Sequence, residues 1–548
     1  MKKIHTNKKN GEGGIILVIC LLLLLVVSLI GVAAITNSNS EMKISGNEIK
    51  QTGAFYAAES GLEMASASII NSYETGGTPP SPLPSGSSVE GDFHYDFSTT
   101  DAGPAVQTTL TDGAFRGLYG LIKTFNLSST GFDSDRESSA TLSLAVQDAL
   151  IPLFQFAVFY QNDLEIAPGP AMILGGRVHS NSNVYLQSEN SLRIDSYLTS
   201  AGNIYHGRKP GSGLGTASGD VFIKDKNGAY QSMENSDGTW LDSRSSNWVS
   251  ASMSRWGGLV EDQNHGMSQL NMPIVTHGPS TNLIDRSSGN QDSYENKAGL
   301  KFVDGQALYK QGDGTWLDVT AALTAQGAIT SATFRDNREG RDVRSMDLDV
   351  QRLSASGYFP TNGIIYSSLP TSSGYDVALR LKNGATLPGA LTVATNNPLY
   401  TVGNFNTNTK KPAAFLADAI TILSGNWTDA GSYQSLGSRM ATATQVNASY
   451  LTGNTETGAN GSGYCGGLEN LPRFLEKWDG VTFTWRGSAV DLWYSRQATG
   501  AWGQSNVYTP PNRDWAFDPD LLDINKLPPG TPMVNLVQRT DWRQQIGS

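Results

Sequence analysis

The hydrophobic pattern of the chain begins with one long uncharged run near the N-terminus. Residues 14–35 contain no charged side chain. At roughly 1.5 Å of rise per residue, the run spans about 33 Å as a helix, close to the ~30 Å hydrocarbon core of a bilayer. The pattern therefore predicts a membrane-spanning helix. Its predicted membrane-spanning positions are Ile15, Leu17, Leu21, Leu25, Leu29 and Ile35.

The residues that follow keep a helical spacing of apolar positions as far as residue 73. The recurring positions are Met42, Ile49, Ala57, Leu62, Ala65, Ile69 and Ile70. This spacing predicts one transmembrane and amphipathic helix over residues 15–74. Gly46, Gly53 and Gly61 weaken helical structure, so we expect bends at these positions.

Beyond the helix, the pattern changes to strands and turns. Residues 75–92 are rich in proline, glycine and serine and are predicted to be a linker. Apolar and polar residues then alternate over 120–127 and 140–146, which is typical of half-buried antiparallel strands. We expect a sheet within residues 75–160, against which the long helix packs.

Short strand-like units dominate residues 161–430. Three begin Gly176-Arg177-Val178-His179, Gly202-Asn203-Ile204-Tyr205 and Gly219-Asp220-Val221-Phe222. Short strands with glycine and asparagine at their corners favour a right-handed parallel β-helix, or solenoid. The sequence Asp-Gly-Thr-Trp-Leu-Asp occurs at 237–242 and again at 313–318, which predicts a duplicated hairpin inserted in the solenoid. Residues 414–423 are predicted to form one strand buried on both faces.

Tryptophan is concentrated toward the C-terminus. Seven of the 11 tryptophans are Trp427, Trp478, Trp485, Trp493, Trp502, Trp515 and Trp542. We predict that residues 431–548 form a Trp-rich cap that covers the open end of the solenoid, with a short helix over 471–478. Stacking of these rings on sugars or on a partner surface is the functional alternative.

Composition and charge argue against a nucleic-acid partner and predict the orientation of the chain in the membrane. The chain has 548 residues and a net charge of −11. A nucleic-acid partner is not expected, since neutralising phosphates requires a basic face and the sequence contains no long basic run. The lysines at 2, 3, 8 and 9 form a basic leader over residues 1–14. They predict a cytoplasmic N-terminus, with the bulk of the chain on the other side of the membrane.

The sequence contains few residues that suggest catalysis, cofactor binding or metal binding. No nucleotide-binding or metalloprotease motif occurs, and no metal or cofactor is predicted. Cys20 lies in the apolar run and Cys465 is predicted to be a small buried thiol. His179 and His206 are predicted to be structural. Asp347 and Asp349 lie in a stretch of mixed charge and are predicted to form ion pairs at the surface.

One N-terminal element carries a family resemblance. Residues 8–65 combine a short leader ending in glycine, an apolar run and the sequence Phe55-Tyr56-Ala57-Ala58-Glu59-Ser60-Gly61-Leu62. This region resembles that of PilX-type minor pilins, in which the family motif positions here are Phe55, Ala57, Ala58, Glu59, Gly61 and Leu62. Fragments of the exterior, such as VHSNSNVYL, resemble large PilX-like proteins.

The resemblance implies processing and a set of partners. A prepilin peptidase would cut between Gly14 and Ile15, with Gly13–Gly14 as the competing bond. The implied partners are other pilin-like subunits, an inner-membrane assembly platform and the lipid bilayer, with surface glycans as a further candidate. The implied location is the inner membrane, as a single-pass protein whose bulk is periplasmic or extracellular on a filament.

The apolar run lacks an acid that the family usually carries. Most major pilins have a glutamate at the fifth mature position, where this chain has Ile19. A large minor pseudopilin at the tip of type II secretion pseudopili lacks it too. A buried carboxylate is costly unless a neighbouring subunit pairs with it, so its absence favours a minor, priming or tip subunit over a major one.

We therefore predict an α+β, mostly β protein with a structural, non-enzymatic function. It has a long N-terminal helix, a pilin-like antiparallel sheet, a parallel β-helix and a Trp-rich cap. Three alternatives stay open. These are a signal peptide cleaved after Val32-Ala33-Ala34, a membrane-anchored β-helix carbohydrate-active enzyme, and an adhesin that binds glycans.

Overall fold

The computed structural model describes residues 13–111, 113–136, 138–272, 278–458, 463–503 and 506–545, except the side chains of residues 13, 14, 74 and 76. The leader predicted over residues 1–14 lies almost wholly outside this range. The helices are α1 Gly13–Gly76, α2 Trp248–Trp256, α3 Tyr294–Lys297, α4 Thr320–Ala325 and α5 Val350–Ala355.

The strands follow in chain order. The first group is β1 Ser85–Glu90, β2 Phe93–Asp101, β3 Val106–Thr109, β4 Tyr119–Asp133, β5 Ser139–Pro152, β6 Val158–Tyr160, β7 Leu164–Ile166, β8 Met172–Leu174, β9 Val178–Ser180, β10 Val184–Leu186, β11 Ser191–Ile194, β12 Leu198–Ser200, β13 Ile204–His206, β14 Asp220–Lys224, β15 Tyr230–Ser232 and β16 Val260–Glu261. The second group is β17 Leu300–Val303, β18 Gln306–Lys310, β19 Trp316–Asp318, β20 Ile329–Asp336, β21 Arg341–Asp349, β22 Ile364–Ser368, β23 Asp376–Lys382, β24 Leu391–Thr395, β25 Leu399–Val402, β26 Ala413–Ala417 and β27 Ile420–Leu423. The last group is β28 Thr444–Asn447, β29 Ser449–Asn454, β30 Pro472–Phe474, β31 Thr482–Gly487, β32 Ala489–Tyr494, β33 Asn512–Phe517 and β34 Met533–Gln545.

The chain forms two compact units. The helix–sheet unit contains the residues up to Pro104, then Thr124–Gln147, then the residues from Val537. The parallel-strand unit contains Ala105–Lys123 and Asp148–Leu536. These units cut across the predicted domains, because residues from Val537 join the N-terminal helix instead of a C-terminal module.

In the helix–sheet unit, the C-terminal part of α1 packs on antiparallel strands. β2 pairs with β4 from Phe93 opposite Asp133 to Asp101 opposite Phe125. Alternate side chains of β4 and β5 meet the helix. The apolar cluster contains Ala58, Leu62, Ala65, Ile69, Tyr73, Phe125, Leu127, Leu142, Leu144 and Val146. The predicted long helix and antiparallel strands are therefore confirmed.

Part of the predicted linker over 75–92 is a strand. β1 pairs antiparallel with β2, from Ser85 opposite Ser98 to Glu90 opposite Phe93. The linker prediction was wrong for residues 85–90 because small polar residues also suit an exposed edge strand, where no side chain needs burial.

In the first part of the parallel-strand unit, strands pair in parallel at a constant interval along the chain. Val158 pairs with Val178, and Val178 with Leu198, so the repeat is 20 residues. Leu164 pairs with Val184, and Val184 with Ile204, at the same interval. Each repeat places one strand in each of three sheets, as β6, β7 and β8 are followed by β9, β10 and β11. The inward aliphatic side chains form the main core.

This register explains why the three glycine-led units have uneven spacing. Val178 lies in β9, Ile204 in β13 and Val221 in β14, and these strands belong to three different sheets. The units are therefore similar in sequence without occupying equivalent positions in the repeat.

A late strand of this unit, β32, pairs with its first parallel strand, β6. The largest sheet has the order β16-β12-β9-β6-β32-β29-β26-β24-β22-β17-β18-β19. Ala489 of β32 pairs in parallel with Val158 of β6. The first strand of the parallel stack is thus an interior strand, covered on one side by β9 and on the other by a strand more than 300 residues later.

Two local predictions in this unit were wrong. Residues 414–423 form two strands, β26 and β27, since the chain turns at Asp418, whose carboxylate accepts the backbone N–H groups of Arg496, Gln497 and Ala498. Residues 471–478 include β30 instead of a helix. β30 pairs in parallel with β27, Phe474 opposite Ile422, and this tertiary pairing overrides the local preference.

Candidate functional site

The N-terminal half of α1 presents apolar side chains to its surroundings. The membrane-spanning positions Ile15, Leu17, Leu21, Leu25, Leu29 and Ile35 are each 57–68% exposed. Within the described residues, α1 is the one helix long and apolar enough to cross a membrane, by length and composition. The predicted cleavage bond between Gly14 and Ile15 lies in its first turn. Exposure continues past the apolar run, at Met42, Ile44 and Ile49.

The family motif forms the face of α1 that is buried against the sheet. Ala57, Ala58 and Leu62 are at most 2% exposed. Gly61 has no room for a side chain, because a Cβ there would lie 2.2 Å from the Ser129 hydroxyl oxygen. Gly131 on β4 is similarly restricted, since its Cβ would lie 2.0 Å from the Ala54 carbonyl oxygen. Small residues therefore let helix and strand backbones approach closely.

Polar contacts flank this buried face. Lys50 lies 3.0 Å from the Asp133 carboxylate. Arg539 of β34 donates to both carboxylate oxygens of Glu63, at 2.6 and 2.8 Å. The motif residues Phe55 and Glu59 are half-buried. A Cβ on Gly53 would lie 2.0 Å from the Phe93 ring, so Gly53, like Gly61, is a packing position. The helix α1 runs without a break through both glycines and through Gly46.

The histidines with candidate chemistry have structural environments. His179 is fully buried, with Nδ1 2.9 Å from the Thr199 hydroxyl and Nε2 3.0 Å from Asn181 Oδ1. Burial lowers the pKa of His179 to about 4. His206 stacks on Trp240 with ring centroids 3.4 Å apart. Neither belongs to a metal-binding group, and the described residues contain no such group.

Asp347 is ion-paired, but in the interior instead of at the surface. It is 3% exposed and contacts Arg380 through two bonds, 2.8 Å to Nε and 2.6 Å to Nη2. Arg380 is 1% exposed and also binds Asp429. Asp349 accepts the backbone N–H of Arg352 and so caps α5. The mixed charges in the sequence indicated that Asp347 is ion-paired. They did not indicate that the ion pair is buried.

Two buried acids, Glu165 and Glu469, lie near the thiol of Cys465. Cys465 is buried, as expected, with Sγ 3.6 Å from Glu165 Oε1, and burial raises its pKa to about 12. Burial also raises the pKa of Glu165, Glu469 and Asp491. Asp491 is 1% exposed, and its carboxyl group interacts with the backbone N–H of Trp493. Glu165 and Asp491 are enclosed in the core, whereas Glu469, although buried, also lines a cavity.

The tryptophans of the C-terminal region are mostly core residues of the parallel-strand unit. Trp478, Trp485, Trp493 and Trp515 are buried. Trp485 stacks on Tyr450 at 4.8 Å and meets Trp515 edge-on at 5.5 Å. Trp542, on β34, is exposed, and Trp427 and Trp502 are half-buried. Most of these rings therefore stabilise the core.

Trp502 lines a cavity that the sequence did not indicate. The cavity has a volume of about 610 Å³ and is formed by residues from 167–218 and 464–513. Tyr464, Tyr508, Arg208 and Arg513 also line it. The two segments that form the cavity are distant in sequence. The concentration of tryptophan near the C-terminus was therefore the one sequence signal that indicated an aromatic surface.

The N-terminal region matches one family. The model of the PilX N-terminal family matches residues 13–63, which are the apolar run and the buried motif. No curated protein matches the chain. The chain is similar to the solved structure of the competence-associated pilin ComZ from Thermus thermophilus, at 13% identity over 91% of this chain and 98% of that one. The TM-score of 0.28 is too low to carry an argument. Residues 13–63 of this chain are thus similar to the N-terminal segment of the PilX family.

Proposed function

We propose that this chain is a minor pilin or pseudopilin, a priming or tip subunit of a type IV pilus-like or type II secretion-like system. The observation that carries the proposal is that the two halves of α1 have different surroundings. Its side chains are exposed from Ile15 to Ile49, while from Ala54 onward one face is buried against its own sheet. A long helix whose apolar half is exposed needs lipid or other helices around that half.

The processing and topology follow from the same segment. We propose cleavage by a prepilin peptidase at the Gly14–Ile15 bond and a single membrane pass with the lysine-rich end in the cytoplasm. The other pilin-like subunits and an inner-membrane assembly platform are the proposed partners. The first acid after residue 14 is Glu41, so the membrane-spanning part offers no carboxylate to a neighbouring subunit. This absence supports a minor over a major subunit.

The rest of the chain is proposed to be displayed outside the membrane. The 20-residue interval of the first strands and their parallel pairing in three sheets support a right-handed parallel β-solenoid. The duplicated loops support inserted hairpins, since Asp237 and Asp313 each accept the backbone N–H of the threonine two residues on. A structural, non-enzymatic display function accounts for these features.

Photocrosslinking in cells tests the proposed assembly. A photoreactive residue at Ile49, which is 66% exposed, is expected to crosslink to other pilin-like subunits. The same residue at Val249 of α2, which is 42% exposed in the parallel-strand unit, is the matched control and is expected to give little product. The proposal fails if Ile49 yields no crosslink to a pilin-like subunit, or no more than Val249 does.

A further inference from the structure

The cavity of the parallel-strand unit has the size of a small-ligand site. Its volume of about 610 Å³ lies within the roughly 300–1,000 Å³ typical of such sites. One wall consists of successive corners of the parallel repeat, where the backbone N–H of Glu189 donates to the Pro168 carbonyl at 3.0 Å. The opposite wall comes from the chain after β29. The site is therefore held by two different parts of the same compact unit.

Three aromatic side chains in the cavity are fixed by mutual contacts. Trp502 Nε1 donates to the Tyr508 hydroxyl at 2.8 Å, and that hydroxyl donates to Asn470 Oδ1 at 2.6 Å. The rings of Tyr464 and Trp502 meet edge-on with centroids 5.1 Å apart. Trp502 and Tyr508 remain half-buried, so both keep accessible surface. Rings held in this way lose little conformational freedom when a ligand binds.

Charged groups of both signs lie beside these rings. The Arg208 guanidinium lies 4.9 Å from the centroid of Tyr464, and its Nε donates to the Gly215 carbonyl at 3.2 Å. Arg513 Nη2 donates to the Glu469 carbonyl at 3.2 Å. Glu189 and Glu469 supply two carboxyl groups. The cavity therefore has no formal net charge and offers both hydrogen-bond donors and acceptors.

We propose that this cavity binds an oligosaccharide. A pyranose ring has a C–H face that packs on the electron-rich face of an aromatic ring, and a rim of hydroxyls that both donate and accept. The combination of Trp502 and Tyr508 with planar guanidinium and carboxyl groups fits both features. A nucleic acid fits poorly, because two carboxyl groups line the cavity and the whole chain is acidic. If the chain is displayed outside the membrane, as the proposed function requires, an oligosaccharide is the molecule that its displayed part would bind.

The test is binding by the full chain in amine-oxide micelles, since many common detergents are themselves sugars. The probes are cellohexaose, chitohexaose, a hexamer of galacturonate and single-stranded dT12, titrated calorimetrically against wild type, Trp502→Ala and Trp316→Ala. Trp316 is the matched control because it is an exposed tryptophan of the same unit outside the cavity. Thermal unfolding of each variant reports whether it is folded.

At least one hexasaccharide is expected to bind the wild type. Binding is expected to weaken at least tenfold in Trp502→Ala and to be unchanged in Trp316→Ala. Arg208→Gln, which keeps a hydrogen-bond donor, separates the sugar classes: it should weaken galacturonate binding more than binding of the neutral sugars. If Trp502→Ala does not fold, Tyr508→Phe replaces it, since this change removes only the hydroxyl that orients Trp502, and at least a threefold loss is expected. The proposal is overturned if no hexasaccharide binds, if only dT12 binds, or if the cavity variant and Trp316→Ala bind equally well.

Discussion

At the residue scale, glycines in the helix–sheet unit have very different surroundings. A Cβ on Gly131 would lie 2.0 Å from the Ala54 carbonyl oxygen and 2.5 Å from the Ala58 nitrogen. A Cβ on Gly46 would meet nothing within 4 Å. The first glycine is required by close backbone approach, whereas the second only lowers the stability of the helix.

These surroundings predict opposite effects of the same substitution. Gly131→Ala should push α1 away from β4 and destabilise the unit by about 1–3 kcal/mol, a typical cost of overpacking. Gly46→Ala should leave stability unchanged or raise it by up to ~1 kcal/mol, through helix propensity. Thermal unfolding in micelles measures both. A loss of stability in Gly46→Ala, or none in Gly131→Ala, would contradict the packing described above.

A second residue-scale prediction concerns Asp491. Burial raises its pKa well above the ordinary value, so protonation favours the folded state. Its contribution to stability is therefore complete below the unfolded pKa of about 4 and is lost as pH rises toward the folded pKa. Asp491→Asn should raise the free energy of unfolding by about 1–3 kcal/mol at pH 8, where the buried carboxylate is most costly.

The pH dependence is the diagnostic part of this prediction. Below pH 4 the advantage of Asp491→Asn over the wild type should largely disappear, since the wild-type carboxyl is then protonated. Asp479→Asn, at a mostly exposed side chain of the same unit, should change little at either pH. Unfolding midpoints across pH 3–8 provide the measurement, and an advantage that grows toward low pH would refute the assignment.

At the element scale, Arg380 joins strands that are separate in sequence. From β23 it binds Asp347 on the neighbouring β21 and Asp429 after β27. Removing one partner of a buried ion pair leaves an uncompensated charge, which costs about 3–5 kcal/mol. Arg380→Ala should therefore destabilise the parallel-strand unit by roughly this amount in chemical denaturation. Arg543→Ala, at a pair whose side chains are 73% and 64% exposed, should cost less than about 1 kcal/mol.

Element by element, the sequence was informative where periodicity acts locally. The helix predicted over 15–74 is α1, Gly13–Gly76, and the alternating runs at 120–127 and 140–146 lie within β4 and β5. Prediction failed where a tertiary partner decides the structure. Examples are the break at Asp418, set by backbone donors near Arg496, and β30, which has a partner strand about 50 residues earlier.

At the scale of the whole molecule, chain order and spatial order differ. β6 is the first strand of the parallel stack, yet it lies between β9 and β32. Short buried strands have nearly interchangeable aliphatic sequences, so nothing in Val158–Tyr160 specifies a partner at residue 489. The cavity was not predictable for the same reason. Its walls come from two distant segments, which meet only because the late strand β32 pairs with β6.

We propose that the N-terminal segment is a pilin-type helix released by a prepilin peptidase, and the N-terminus of the mature chain tests this proposal. The full chain is expressed with a prepilin peptidase and its intact mass is measured, with Gly14→Val as the uncleaved control. The account predicts a mature chain that begins at Ile15, produced only when the peptidase is present. A chain that still begins at Met1 in those cells, or one that begins at Ile35 after signal-peptide removal, would contradict it.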